Sequence, residues 1–170
     1  LHILSNLNTD WPNMNSRSKS KKSNDASAAI IQKAIDVLKI EADGIINLVD
    51  RIDDSFYEMI EQICRSSGRL IIAGIGKSGI VGRKIVATLN STGTRSLFLH
   101  PVEAMHGDLG QVSRDDIFIA LSNSGETHEI CILLPSIRRI RCKMIAFTGS
   151  KNSTLAAQSG FAQGSGFSIK

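Results

Sequence analysis

Apolar positions recur at three- and four-residue steps from Ile31 through Ile35, Leu38, Ala42, Ile45 and Val49 to Ile52, the period of a helix with one apolar face. Asn24 or Asp25 stands where its cap is expected. Phe56, Met59, Ile60 and Ile63 repeat that period and predict a second helix from Asp53 to Ser66, closed by Gly68. The pattern then changes. Arg69–Ile75 is a short unbroken apolar run, as in a strand buried on both faces. The loop Gly76–Gly79 leads into a helix bearing Ile80, Val81, Ile85, Val86 and Leu89, followed by a strand at Ser96–Leu99 and a loop with a short helix from His100 to Gln111. A strand at Asp116–Leu121, a loop at Ser122–Glu126, a helix at Thr127–Ile140 and a strand at Lys143–Phe147 continue the alternation, and Ser153–Gln158 begins another helix. Pro135 predicts a kink or break in the helix that contains it. Strands alternating with helices predict an α/β fold with a parallel sheet covered on both faces, preceded by two helices.

In such sheets ligands bind beyond the carboxyl ends of the strands, which here carry three polar loops. Gly74-Ile75-Gly76-Lys77-Ser78-Gly79 fits G-x-G-x-x-G between a strand and a helix, but the acidic residue a dinucleotide ribose needs is absent, because the next strand ends at His100. A Walker A loop would need glycine where Ile71 stands. What remains is an anion site in which Gly76 admits close approach, the helix start offers N–H groups, and Lys77 and Ser78 supply a charge and a hydroxyl. The plainer reading is a tight turn with an exposed lysine.

Ser122-Asn123-Ser124-Gly125-Glu126-Thr127 also joins a strand end to a helix start, with three hydroxyls where ordinary capping needs one. Two such loops on one sheet edge can hold the same anion. His100-Pro101-Val102-Glu103-Ala104-Met105-His106-Gly107-Asp108 puts two histidines and two carboxylates just after a strand, and histidine is the natural proton carrier near neutral pH. Its histidine spacing is not that of a compact metal site, and no metal is expected.

The net charge of +4 over 170 residues invites a nucleic-acid reading until it is located. Residues 1–23 carry four bases (Arg17, Lys19, Lys21, Lys22) against Asp10, and the remainder is close to neutral. The basicity belongs to a polar arm, residues 1–24, expected to be disordered, with Met14 a plausible start; no nucleic-acid partner is expected. No apolar run approaches the roughly 20 residues that cross a bilayer, so no membrane partner is expected either. The three cysteines, Cys64, Cys131 and Cys142, lie in apolar-periodic stretches and read as buried reduced thiols, consistent with a cytoplasmic protein.

GIGKSGIVGRKIVATLNSTGT, HPVEAMHGDLGQVSRDD, ALSNSGETHEI and AFTGSKNSTLA together resemble the sugar isomerase (SIS) domain of the arabinose-5-phosphate isomerase family, over about residues 30–159. The resemblance implies a three-layer, flavodoxin-like domain with five parallel strands. It implies interconversion of D-arabinose 5-phosphate and D-ribulose 5-phosphate without a cofactor, in lipopolysaccharide or capsule metabolism, by a homo-oligomer that is usually a tetramer. By the same resemblance Ser122, Asn123, Ser124 and Thr127 correspond to the phosphate clamp, joined by Gly76 and Ser78, with His100 and Glu103 beside the substrate. Lys77, His106 and Glu129 match positions associated with catalysis, their acid and base roles unassigned. For Glu129 the plainer alternative is a surface charge complementing a helix dipole.

Family members continue beyond the equivalent of residue 159 with a fifth strand, a further catalytic histidine and often paired CBS modules. Gly160–Lys170 does not resemble that strand. The expectation is therefore an incomplete SIS domain over 25–159 with an aberrant or disordered tail over 160–170, lacking its last strand and helix and turning over little or nothing. The alternative is a sugar-phosphate-sensing SIS module without catalysis, which would not need the His/Glu cluster of the 100–108 loop.

Overall fold

The computed structural model describes residues 20–159; the expected arm up to residue 19 and the expected tail lie outside them, while residues 20–24, expected to be disordered, belong to a helix. Two compact units divide at Val49/Asp50. The first is the long helix α1 (Ser20–Ile46), which begins before Asn24 and Asp25, so neither caps it, and ends before Val49 and Ile52. Its apolar stripe is present but exposed, with Ile31 at 61%, Leu38 at 69% and Ile45 at 68% of full accessibility. A 3-10 turn, Val49–Arg51, follows.

The second unit contains β1 (Leu70–Gly74), β2 (Ser96–Leu99), β3 (Ile117–Ser122) and β4 (Lys143–Thr148) in one parallel sheet ordered β2-β1-β3-β4. Among the described residues there are four strands, against the five that the resemblance implies. Strand alternation divides the side chains between two cores. Ile71, Ala73, Leu99, Phe118, Ala120, Met144 and Ala146 point to one face. There they meet Ala104 of α4 (Pro101–Met105), Ile130, Leu133, Leu134 and Ile137 of α5 (His128–Ile140), and Leu155 of α6 (Thr154–Gln158). Leu70, Ile72, Ile117, Ile119 and Ile145 point the other way, toward Phe56, Met59 and Ile63 of α2 (Asp54–Arg65) and Ile85, Val86 and Leu89 of α3 (Gly76–Ser91).

Several boundaries move for local reasons. Asp53 caps α2 from outside, accepting the Ser55 N–H at 3.0 Å. The expected loop Gly76–Gly79 is already the first turn of α3. α5 runs unbroken through Pro135, since Leu133 and Leu134 before it and Ile137 after it are all buried and hold both halves on the sheet. Cys142 is buried, Cys131 half-buried and Cys64 exposed, because Cys64 lies off the Met59–Ile63 stripe that faces the sheet. No helix among the described residues is long and apolar enough to cross a membrane.

A buried carboxylate lies at the end of the sheet where its strands begin. Asp116, just before β3, accepts the backbone N–H groups of Arg69 at 2.7 Å and Ser113 at 2.9 Å and pairs with the Arg69 guanidinium at 3.1 Å. Burial alone would raise this carboxyl, but the bonds from Arg69 and Ser113 outweigh it and hold it below the usual range.

Candidate functional site

The chain leaves β1 for β2 on one side and β3 for β4 on the other, so the sheet reverses its winding between β1 and β3. This is the crevice position of open α/β sheets. Gly74 pairs with Leu121, which sets the start of α3 beside the loop that follows β3. Lys77, Ser78, Ser122 and Asn123 line one end of a cavity of about 610 Å³. Thr148, the last residue of β4, and Gly149 also line it, as does Thr94; the rest is apolar, formed by Ile72, Ile119, Leu121 and Phe147 of the sheet with helical side chains. A small anion fits only the polar end, since its oxygens would be left unsatisfied deeper in.

The glycines of the first loop divide their work. A Cβ on Gly79 would stand 2.8 Å from the Gly74 carbonyl oxygen, so these two let α3 close onto β1. Gly76 instead turns the chain, with φ +57° and open space around it. Ile75 stands at the N-cap of α3 and makes no side-chain cap, which leaves the helix start facing the crevice without an internal acceptor.

The second loop is ordered from within. Ser122, the last residue of β3, is buried, and its Oγ lies 2.7 Å from Thr127 Oγ1 and accepts the Gly125 N–H at 3.0 Å. Ser124 Oγ accepts the Glu126 N–H at 3.1 Å. Thr127 is the N-cap residue of α5 but makes no side-chain cap bond, because its hydroxyl turns to Ser122. The sequence shows hydroxyls in excess of capping needs; that the cap position itself forgoes capping appears only in three dimensions. By contrast α2 and α6 carry ordinary side-chain caps from Asp53 and Ser153. Gly125, at φ +68°, admits its neighbour and not a ligand: a Cβ there would stand 2.0 Å from Ser153 Oγ.

The other residues singled out from the sequence, Gly76, Ser124 and Thr127 included, do not line the cavity. His100 follows β2, half-buried, its ring edge-on to Phe98 with centroids 6.5 Å apart, and its buried Nδ1 has no partner among the described residues. Glu103 and His106 are exposed, on α4 and just after it, while Glu129 is half-buried in the first turn of α5. Among the described residues no ion pair engages Lys77, Glu103, His106 or Glu129, and no group of three or more His, Cys, Asp or Glu side chains could hold a metal. One residue that the sequence reading passed over is Glu126, whose carboxylate accepts the Thr154 N–H at 2.6 Å and lies below the usual carboxylate range because of that backbone bond.

The family model of the SIS domain matches residues 63–162. The arabinose 5-phosphate isomerase KdsD of Pseudomonas aeruginosa is 48% identical over 126 residues, which are 74% of this chain and 39% of that protein. The KdsD of Escherichia coli strain K12 is 43% identical over 125 residues, covering 74% and 38% respectively. The chain thus spans about two fifths of the length of these curated relatives. A solved structure of an E. coli CFT073 protein in complex with arabinose 5-phosphate superposes with a TM-score of 0.74 at 39% identity, covering 78% of this chain and 71% of that one.

Proposed function

This chain belongs to the SIS-domain family, and on that premise we propose that it serves the aldose–ketose interconversion of D-arabinose 5-phosphate and D-ribulose 5-phosphate. The observation that carries the reading is the meeting of Lys77, Ser78, Ser122 and Asn123 at one cavity end, at the winding reversal, between two helix starts that no side chain caps. Free N–H groups, hydroxyls and one cation are what a phosphate dianion requires. The similarity to proteins named arabinose 5-phosphate isomerase, and to a structure holding that sugar phosphate, supports a five-carbon sugar phosphate in that place.

In this reading Ser122, Ser124, Thr127 and Ser78 hold the phosphate, with Gly76 and Asn123 shaping the approach, and His100 and Glu103 meet the sugar. The reaction moves the carbonyl from C1 to C2. A base removes the C2 proton, the electron pair forms an enediolate, and a proton returns to C1 while the hydroxyl proton passes from O2 to O1. Lys77 offsets the enediolate charge, and His106 and Glu129 share the proton transfers. The exchange is redox-neutral, so it calls for no redox cofactor.

The exposed stripe Ile31, Leu38 and Ile45 supports assembly with further copies of the chain.

The test is a coupled assay for ribulose 5-phosphate from arabinose 5-phosphate, with Lys77→Ala, Glu129→Gln and His106→Asn beside the parent chain. Activity lost by about a hundredfold or more in Lys77→Ala and Glu129→Gln supports catalysis here. Binding of arabinose 5-phosphate without turnover, unchanged by Glu129→Gln and His106→Asn, would replace it with a sensing role. No binding at all would overturn the substrate.

A further inference from the structure

The Ser122–Thr127 loop is also tied to the segment that runs from the end of β4 into α6. Glu126 Oε1 accepts the Thr154 N–H at 2.6 Å, the Gly125 carbonyl accepts the Leu155 N–H at 3.0 Å, and the Asn123 carbonyl accepts the Gly149 N–H at 2.8 Å. Gly125 also packs so closely on Ser153 that no side chain fits between them. Of these ties only Glu126 spends a side chain, and a costly one: a carboxylate next to hydroxyls suited to phosphate would repel the dianion. Its bond to Thr154 turns that charge toward the N–H and side chain of that residue. The cap of α6, Ser153, accepts only the Ala156 N–H at 3.3 Å, so the Thr154 N–H takes its acceptor from outside the helix, from Glu126.

We propose that Glu126 is a positioning residue: its carboxylate clasps the first turn of α6 and thereby holds the Ser122–Thr127 hydroxyls in register for the phosphate. The proposal rests on the functional reading above for its ligand and on the hydrogen bonds for its mechanism.

Thr154 offers an independent way to break the clasp. It is the first residue of α6, where proline is tolerated, and Ser153 before it has φ −80° and ψ 159°, a conformation that proline permits in its predecessor. Thr154→Pro therefore removes that N–H, together with the Thr154 hydroxyl that also engages the carboxylate, without altering the loop's own side chains.

The experiment compares the full chain with Glu126→Ala, Glu126→Gln, Thr154→Pro and the double variant Glu126→Ala/Thr154→Pro. Amide hydrogen exchange over 122–127 is read without ligand, and dissociation constants are measured for arabinose 5-phosphate and for inorganic phosphate. Glu126→Ala and Thr154→Pro are each expected to raise exchange and both dissociation constants by about tenfold, without adding in the double variant, while Glu126→Gln, which keeps the acceptor, stays within about twofold of the parent. Unchanged exchange in both single variants overturns the proposal, as do faster exchange with unchanged phosphate affinity and full additivity. If the parent binds neither ligand, the substrate reading falls, and the exchange arm still decides whether Glu126 orders the loop.

Discussion

Ser122 Oγ and Thr127 Oγ1 lie 2.7 Å apart, joining the last residue of β3 to the residue before α5 through one hydrogen bond. The bond closes the loop on itself and leaves the start of α5 without a side-chain cap. Ser122→Ala removes it together with the Oγ that receives the Gly125 N–H. The expected result is a rise of about tenfold in the arabinose 5-phosphate dissociation constant, measured by calorimetry, with Thr127→Val behaving alike and the pair falling short of additive.

Gly125 and Gly76 both have positive φ, at +68° and +57°, but differ in surroundings. Gly76→Ala meets nothing within 4 Å and is expected to cost about 1 kcal/mol of conformational strain. Gly125→Ala adds a collision with Ser153 Oγ and is expected to cost about 2–3 kcal/mol, measured by urea unfolding. Equal losses in the two variants would mean that the close approach to Ser153 carries no weight.

Asp116 contributes to the acid limb of stability. Its folded carboxyl lies below the ordinary value of 3.8, so the unfolded chain binds its proton first as pH falls. The stabilisation is complete above the ordinary value and drains away as pH falls through the depressed one. Asp116→Asn should lose about 2 kcal/mol at neutral pH, where Arg69 is left without its carboxylate, and should flatten the pH dependence below about pH 4. An unfolding series across pH 2.5–7, at about half-unit steps, distinguishes this from a pH-independent packing loss.

The thiols should react in order of access. Cys64 is exposed and is expected to be alkylated first. Cys131 follows, its thiol pushed up by burial and by the nearby charge of Glu126. Cys142 is pushed up to about 11, chiefly by burial, and its Sγ donates to the Asp116 carbonyl at 3.0 Å, so it should label only on unfolding. Mass spectrometry of tryptic peptides after timed alkylation reads the order directly, and early labelling of Cys142 would contradict the burial.

Much of this was open to the sequence because it depends on local pattern. The unbroken run Leu70–Gly74 had to lie between two layers, and the change from helical to strand period placed every strand to within two residues. Composition alone located the three loops that follow strands. The sequence also carried the family resemblance, since motif order survives without coordinates. What it misjudged were ends and faces. Nothing local says that Lys77 and Ser78 already lie in a helical turn, because glycines permit loop and helix alike. The exposure of Cys64 depends on which arc of α2 meets the sheet.

The sequence by itself determined the layered α/β class, the position of each polar loop at a strand end, and the chemical types available there. Only the tertiary structure decided which of those groups meet. Strand order is a non-local outcome of packing: it brought Lys77 and Ser78 beside Ser122 and Asn123, more than 40 positions apart, by setting β1 against β3. It also turned the Thr127 hydroxyl inward to Ser122 and the Glu126 carboxylate outward to α6, a division of labour between neighbours that no spacing along the chain encodes.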